Sequence, residues 1–133
     1  MKRSVLADTG PLYAALDPDD QYHEQAQREL KRLNRDRRQV VVAYPILLES
    51  YTLALYRLGQ QIASKWLSET IAGAGLVNPA AQDYRAATSK VLSFPDQRIT
   101  LFDATVAVLA QRSGLQVWTY DHHFDVMRVP VWR

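Results

Sequence analysis

The chain has 133 residues, a length typical of one domain with its own hydrophobic core. Apolar residues make up 47% of it and charged residues 23%, an ordinary composition for a soluble protein. It contains no cysteine, which excludes disulfides and thiolate metal sites. The formal net charge is +2, too small by itself to indicate a polyanionic partner. We expect a single domain over residues 1–133.

The N-terminus and the hydrophobic segments bear on localisation. The opening MKRSVLADTG is basic, but only three apolar residues precede Asp8, so it does not resemble a signal peptide. Every stretch approaching the roughly 18 apolar residues of a membrane span contains a charge. We therefore expect a cytoplasmic protein with no membrane contact, and the absence of cysteine fits that compartment.

The first half of the chain predicts strands that alternate with helices. Residues 3–7, RSVLA, form a short apolar strand that DTGP ends. Residues 20–37 have apolar side chains at helical spacing and predict an amphipathic helix. QVVVA at 39–43 predicts a second buried strand, and Pro45 suits the first turn of a helix that runs to about Leu58.

The second half continues the alternation. Its predicted elements are a helix to about residue 72 after a turn at Gly59, a possible strand at 74–79, and a helix at 80–92. They continue with a helix from Thr100 to before Gly114 and a strand at 116–120. VPVW near the end predicts only a weak edge strand because Pro130 cannot donate to a ladder. Apolar strands between helices indicate a parallel sheet covered on both faces. The expected fold is a three-layer α/β/α domain with a mainly parallel sheet of four to five strands.

Four apolar segments each carry a carboxylate, and the four acids are Asp8, Glu49, Asp103 and Asp121. Burying an unpaired carboxylate is costly, so each needs a cation, a proton or hydrogen-bond donors. Structural roles exist for three of them. Asp8 fits an Asx-turn, Asp103 fits a capping box with Thr100, and Asp121 fits the cap of a short helix. Glu49 lies past the first turn of its helix and has no such role.

The positions of these acids along the elements favour a shared site. Asp8 and Asp121 each end a predicted strand, while Glu49 and Asp103 each lie early in a helix. In a parallel sheet such positions fall at the carboxyl edge, where α/β folds bind ligands. Converging carboxylates repel one another unless divalent cations lie among them. Oxygen ligands alone predict Mg²⁺ or Mn²⁺, as one or two ions.

The segment VWTYDHHFDVM, residues 117–127, raises a competing possibility because it contains adjacent histidines. The chain has only three histidines, His23, His122 and His123, with no pair four residues apart and no cysteine to complete a zinc site. Neighbouring side chains rarely face one point, so we expect His122 and His123 to lie in a polar loop. Contact with a substrate phosphate is the alternative role.

Three segments taken together resemble a known family. VLADTGPLYAALDPDDQYHEQA, YPILLESYTLALYRLG and ITLFDATVAVLAQRSGLQVWTYDHHFDV resemble, in order and spacing, the PIN-domain ribonucleases, and in particular the toxins of VapBC-type toxin–antitoxin systems. The resemblance covers nearly the whole chain. It implies that the four acids form a catalytic, metal-binding quartet. It also matches Thr9 and Thr119 to hydroxyl positions beside the first and fourth acids, and Asp125 to a variable extra acid.

Two departures from the family pattern stand close to the acids. AYP before the Glu49 helix lacks a frequent Ser or Thr, and Phe102 replaces a small residue, which would narrow the groove. Neither removes a ligand. Setting the quartet aside, the rest of the chain carries 16 − 10 = +6, which suits a phosphodiester substrate. We expect weak substrate contacts from Arg3, His122 and His123.

The resemblance implies a metal-dependent endoribonuclease that cleaves RNA with an activated water, acting as the toxin of a toxin–antitoxin pair. Cations would be held by Asp8, Asp103 and either Glu49 or Asp121. The implied partners are RNA, a small antitoxin and a second copy of the chain. Two alternatives stay open: a non-catalytic PIN-like module that binds RNA or protein, and a metal-dependent DNase or phosphatase. Retained buried acids argue against the first, whereas the second would use the same acids.

The two helices predicted at 21–37 and 45–58 bear on the protein partner. Tyr22 lies on the first of them, and Leu53 and Tyr56 lie on the second. These side chains belong either to the core or to one groove between the two helices that receives an antitoxin segment.

Overall fold

The computed structural model describes residues 4–133 and contains a parallel sheet flanked by helices. The strands are β1 Val5–Ala7, β2 Val40–Ala43, β3 Gly75–Val77 and β4 Gln116–Trp118. The helices are α1 Thr9–Leu16, α2 His23–Arg35, α3 Tyr44–Leu58, α4 Gln60–Gly73, α5 Ala81–Leu92, α6 Leu101–Ser113 and α7 His123–Val126. The strand order is β3-β2-β1-β4, and all three pairings are parallel. This confirms the predicted α/β/α fold, with four strands.

Strand β1 occupies the centre of the sheet and is completely buried. Leu6 pairs with Val41 on one side and with Val117 on the other. Beyond the strand itself, the Asp8 N–H donates to the carbonyl of Trp118 at 2.9 Å. That bond continues the β1–β4 pairing by one step and brings Asp8 beside Thr119.

The hydrophobic core lies between the sheet and the helices. Trp118, Leu6, Leu109 and Phe124 are among its largest fully buried side chains, and each contributes roughly 1.5–3 kcal/mol on burial. Trp118 also packs edge-on against Trp132, with ring centroids 6.3 Å apart. These contacts fix the end of β4, from which the chain enters the acidic segment.

Helix α1 was not predicted. We expected DTGP to end a strand, but the Asp8 carboxylate accepts the N–H of Thr9 and a helix begins there. Pro11 suits this first turn, where a missing N–H costs nothing. Helix α1 packs against both α2 and α3 and therefore lies between them.

The last residues of the chain form a single bridge to the sheet rather than a full strand. Val131 makes only an isolated parallel bridge with Val117, which agrees with the weak edge strand expected beside Pro130. Among the residues that the structure describes, no helix has the length and apolar character needed to cross a membrane.

Candidate active site

Asp8 is the most buried of the four predicted acids and lies where β1 passes into α1. Its carboxylate accepts the Thr9 N–H at 2.9 Å and the Thr119 hydroxyl at 2.8 Å. Only 7% of the residue is exposed, and burial raises the pKa of its carboxyl to about 7. The charges of Asp103 and Asp121 contribute to this raised pKa, while the two hydrogen bonds oppose the shift.

Asp103 stands in the first turn of α6 and serves as the capping partner of Thr100. Its N–H donates to the Thr100 hydroxyl at 3.1 Å, and the Thr100 N–H donates to its carboxylate at 3.3 Å. Burial, followed by the charge of Asp121, raises the pKa of the Asp103 carboxyl. Asp103 therefore both caps a helix and belongs to the acidic cluster, so the two readings from the sequence are compatible.

Asp121 follows β4 and is held by the same hydroxyl that contacts Asp8. Its N–H donates to Thr119 Oγ1 at 3.0 Å, and Thr119 in turn donates to Asp8. The Asp121 carboxylate accepts the His123 N–H at 2.9 Å. One buried threonine thus links the first and fourth acids and orients both.

Glu49 lies to one side of this cluster, on α3. Its carboxylate accepts the Thr9 hydroxyl, and the buried Ser50 donates to Thr9 Oγ1 at 3.4 Å. The carboxylates that raise the pKa of Asp8 are Asp103 and Asp121. Asp8, Asp103 and Asp121 therefore interact through their charges, although these three do not form a group of described residues whose ligand atoms all lie within 4.8 Å of one another, and Glu49 contacts Thr9 instead. Ser50 was missed in the sequence, where the hydroxyl was sought before Glu49 rather than after it.

The basic groups beside these three acids are imidazoles rather than lysine or arginine, since His122 and His123 lie against Asp121. Within residues 4–133, no Lys or Arg forms an ion pair with Asp8, Asp103 or Asp121. Burial and neighbouring carboxylates raise the pKa of Asp8 and of Asp103, so a proton or a bound cation would offset the negative charge here. The donor atoms are carboxylate oxygens, which fit a hard divalent cation.

The histidines are placed differently from the expectation. Both imidazoles lie against Asp121, with ligand atoms of all three residues within 4.8 Å of one another and the two rings 4.3 Å apart. His123 Nδ1 is 3.0 Å from Asp121 Oδ1, yet it has no hydrogen bond of good geometry. The premise that these adjacent side chains face different points is wrong. Asp121 thus acts through its charge on the carboxylates of Asp8 and Asp103 and also lies beside two imidazoles. A carboxylate with two imidazoles is a ligand set that suits a transition metal.

Two hollows open on either side of the acids. The apolar hollow, about 460 Å³, is lined by Leu48, Leu53, Tyr56 and Phe102 and also by Thr9 and Glu49. The polar hollow, about 410 Å³, is lined by residues that include Tyr22, Glu29, Thr119, Asp121, His122 and Arg133. Tyr22 and Tyr56 therefore line different hollows. The single groove expected between the two helices does not form, because α1 lies between α2 and α3.

The remaining predicted residues have these positions. Asp125 is exposed and pairs with Arg133 at 2.9 Å beside the polar hollow. Phe102, before the third acid, lines the apolar hollow. Arg3 lies outside the described residues. Glu29 was missed, since a charge on an amphipathic helix looks solvated; it accepts hydrogen bonds from Trp118 Nε1 at 3.0 Å and from the Tyr120 hydroxyl at 2.5 Å.

Comparison with known proteins gives a consistent result. The family model described as PIN domain matches residues 5–130. No curated protein matches the sequence. The toxin VapC20 of Mycobacterium tuberculosis, described as cleaving the sarcin-ricin loop, has a similar structure, with a TM-score of 0.87 and 19% identity over 97% of this chain and 98% of that one.

Two further solved structures resemble this one. VapBC2 of Rickettsia felis, bound to a DNA fragment from its promoter, gives a TM-score of 0.75 at 11% identity over 98% of this chain and 97% of that one. FitAcB of Neisseria gonorrhoeae gives a TM-score of 0.68 at 19% identity over 97% of this chain and 96% of that one. At these identities the likeness shows a shared fold.

Proposed function

The chain belongs to the PIN-domain family, and on that premise we propose that it is a metal-dependent endoribonuclease, the toxin of a toxin–antitoxin pair. One observation carries the proposal. Asp8, Asp103 and Asp121 come from three separate parts of the chain and lie near the carboxyl edge of the sheet, where burial and neighbouring carboxylates raise the pKa of Asp8 and of Asp103 and where none of the three pairs with a Lys or Arg within residues 4–133. An arrangement that costs folding energy in this way suits a site that binds a cation.

In this proposal Asp8, Asp103 and Asp121 hold Mg²⁺ or Mn²⁺. When bound, the cation supplies positive charge to the scissile phosphate and acidifies the attacking water. Thr119 keeps Asp8 and Asp121 in fixed positions through its two hydrogen bonds. Glu49, held apart from the cluster by Thr9, orients the attacking water and accepts its proton.

The test is a cleavage assay with Mn²⁺ on RNA and on DNA of the same sequence. We expect the wild type to cut RNA, Asp8→Asn to be inactive, and EDTA to abolish the wild-type activity. Asp96→Asn is the matched control, since Asp96 is exposed and outside the cluster. Full activity of Asp8→Asn would refute the proposal, and preferential cleavage of DNA would favour the DNase alternative.

The apolar hollow supports the proposal of protein partners. Tyr56 is 83% exposed and Leu48 66% exposed, and both line it beside Glu49. Large apolar side chains left in water on a folded surface favour an interface. We propose that this side of the chain serves for dimerisation and for an antitoxin segment, whose Arg would reach the carboxylates and displace the cation. A protein that cleaves RNA in this way would act in the cytoplasm.

A further inference from the structure

Helix α2 carries a row of cations on its outer face. Arg28, Lys31, Arg32 and Arg35 follow one another at helical spacing and line one shallow hollow. Ala26 and Leu33 on the same helix are buried in the core. At 1.5 Å per residue the four cations extend over roughly 10 Å of helix. We call these four residues the basic stripe.

The basic stripe is continuous with the polar hollow of the acid site. Gln25 and Glu29 line both the hollow of the stripe and the polar hollow, which extends to Thr119 and Asp121. A molecule bound at the acids and lying along this surface would reach the stripe without crossing the apolar hollow, whose lining includes a single cation, Arg57.

The charges of the stripe are largely uncompensated. In the part of the chain that the structure describes, Arg35 is the one member of the stripe with an ion pair, made with Asp36 at 3.5 Å. Like charges three and four residues apart disfavour a helix. The helix dipole favours cations in the last turn, which accounts for Arg32 and Arg35 but not for Arg28. A bound polyanion would offset this repulsion.

Aromatic side chains lie along the same surface. Tyr22 is partly exposed in the polar hollow and packs on Tyr120, with ring centroids 4.8 Å apart. The Arg32 guanidinium lies 4.2 Å from the centroid of the Trp132 ring. Cations that contact a backbone, interleaved with aromatic faces, are the features that bind single-stranded nucleic acid.

We infer that the polar hollow and the basic stripe form the track along which the RNA strand leaves the acid site. The inference rests on the proposed function. The basic stripe contacts phosphates, and Tyr22 stacks on an unpaired base. Within residues 4–133 the apolar hollow offers one lining cation, Arg57, against the four of the basic stripe, so the strand is bound asymmetrically.

The test is RNA binding by the whole chain in EDTA. Binding is measured as the fluorescence anisotropy of a labelled single strand of about 20 nucleotides. The triple variant Arg28→Gln, Lys31→Gln, Arg35→Gln keeps good helix formers and leaves Arg32 on Trp132. It should bind at least tenfold more weakly, and the slope of log affinity against log salt should fall by about 2, since each phosphate contact contributes about 0.7. The matched control is Lys65→Gln, Arg85→Gln, Lys90→Gln, whose residues line neither hollow beside the acids nor that of the stripe.

A second pair of variants tests the stacking contact. Tyr22→Ala should weaken RNA binding about fivefold or more. Tyr84→Ala, on an equally exposed tyrosine of α5, should not. Labelled poly-glutamate should bind the wild type more weakly than RNA does, because it offers no bases. Equal binding of both polymers together with no effect of Tyr22→Ala would overturn the assignment in favour of an acidic polypeptide.

Failure of the track is distinguishable from failure of the nuclease proposal. If the two triple variants bind RNA equally well, or if the wild type does not bind RNA in EDTA, the track is wrong. The nuclease proposal still stands in those cases if Asp8→Asn abolishes Mn²⁺-dependent cleavage. With the track correct, the stripe variant should raise the KM for RNA at an almost unchanged kcat.

Discussion

The apolar and polar hollows are similar in volume, about 460 and 410 Å³, and both border the acid site, but their linings are opposite in character. The first reaches the acids through Thr9 and Glu49, the second through Thr119 and Asp121. The volumes of the two hollows therefore do not distinguish what each one binds, whereas the character of their lining residues does. The apolar side suits a protein surface, and the polar side, with its link to the basic stripe, suits a nucleic acid.

The contrast originates in two helices. On α3 the solvent side carries Leu48 and Tyr56, both largely exposed. On α2 the solvent side carries the basic stripe. Helix α1 packs against both helices, and the two hollows share no lining residue among those that the structure describes. A partner on one side can still affect the other through the acid site that both border.

The largest effect should follow from removing a carboxylate of the acid site that both sides border. Asp103→Asn retains an oxygen for the Thr100 N–H, so the cap and the fold should persist. We expect cleavage with Mn²⁺ to fall by at least about 1,000-fold, or about 4 kcal/mol of barrier. Single-turnover kinetics measure this, with circular dichroism as the check on folding. A properly folded variant with wild-type rate would remove Asp103 from the site.

The next largest effect concerns the apolar side alone. Light scattering should give about twice the 15.2 kDa chain mass for the wild type. Leu48→Glu with Tyr56→Glu should give a monomer, since buried apolar anchors dominate interfaces. The monomeric Leu48→Glu, Tyr56→Glu variant should still bind RNA in EDTA. Ile71→Glu, on an exposed residue of α4, is the control and should remain dimeric. A wild type that is monomeric at micromolar concentration would contradict the dimer.

A smaller effect is expected on stability without metal. Because burial raises the pKa of Asp8 to about 7, the folded state binds the proton more tightly than the unfolded state, whose pKa is about 3.9. The free energy of unfolding should then fall as the pH rises from about 4 to about 7 and level off above it. At pH 8 in EDTA, Asp8→Asn should be more stable by about 2 kcal/mol, raising Tm by about 5 °C or more.

Urea titrations at several pH values measure this dependence. Mn²⁺ should reverse the order of stability, because it binds the folded wild type and not the variant. Two results together would contradict this prediction: a metal-free wild type whose free energy of unfolding rises through this pH range, and an Asp8→Asn variant that is no more stable than the wild type. They would show that the buried Asp8 charge does not destabilise the fold.

The smallest effect should come from Phe102, which lines the apolar hollow although its neighbour is Asp103. If the two sides are independent, Phe102→Ala should leave RNA affinity within about twofold and alter only the protein contact. Anisotropy with labelled RNA and light scattering measure the two quantities on the same sample. A large loss of RNA affinity would show that the strand also crosses the apolar side.

Much of the fold was predictable because apolar strands alternating with helices permit few topologies. The placement of Asp8 and Asp121 just beyond β1 and β4 followed from the shared edge of a parallel sheet, and the charges of Asp103 and Asp121 act on Asp8 there. The start of α1 was not predictable, since DTGP is compatible with a turn or with a capped helix and packing decides between them. That single error also produced the wrong groove, because the unpredicted helix separates Tyr22 from Tyr56.

The directions in which side chains point could not be predicted from the sequence either. The offset of Glu49 depends on how α3 is rotated against the sheet, and no pattern in the sequence fixes that angle. The convergence of His122 and His123 on Asp121 depends on the turn that leads into α7. Adjacent residues were expected to diverge, and here the backbone turns both rings towards the same carboxylate.

We propose that the carboxylates, rather than the histidines beside them, hold the catalytic cation. Asp121 belongs to both groups, so its replacement does not decide between them. Calorimetric titration of Mn²⁺ into the wild type, Asp103→Asn and the His122→Ala, His123→Ala double variant decides most directly. We expect Asp103→Asn to lose Mn²⁺ binding and the double variant to keep wild-type affinity. Loss of Mn²⁺ binding in the double variant, with binding retained in Asp103→Asn, would contradict it.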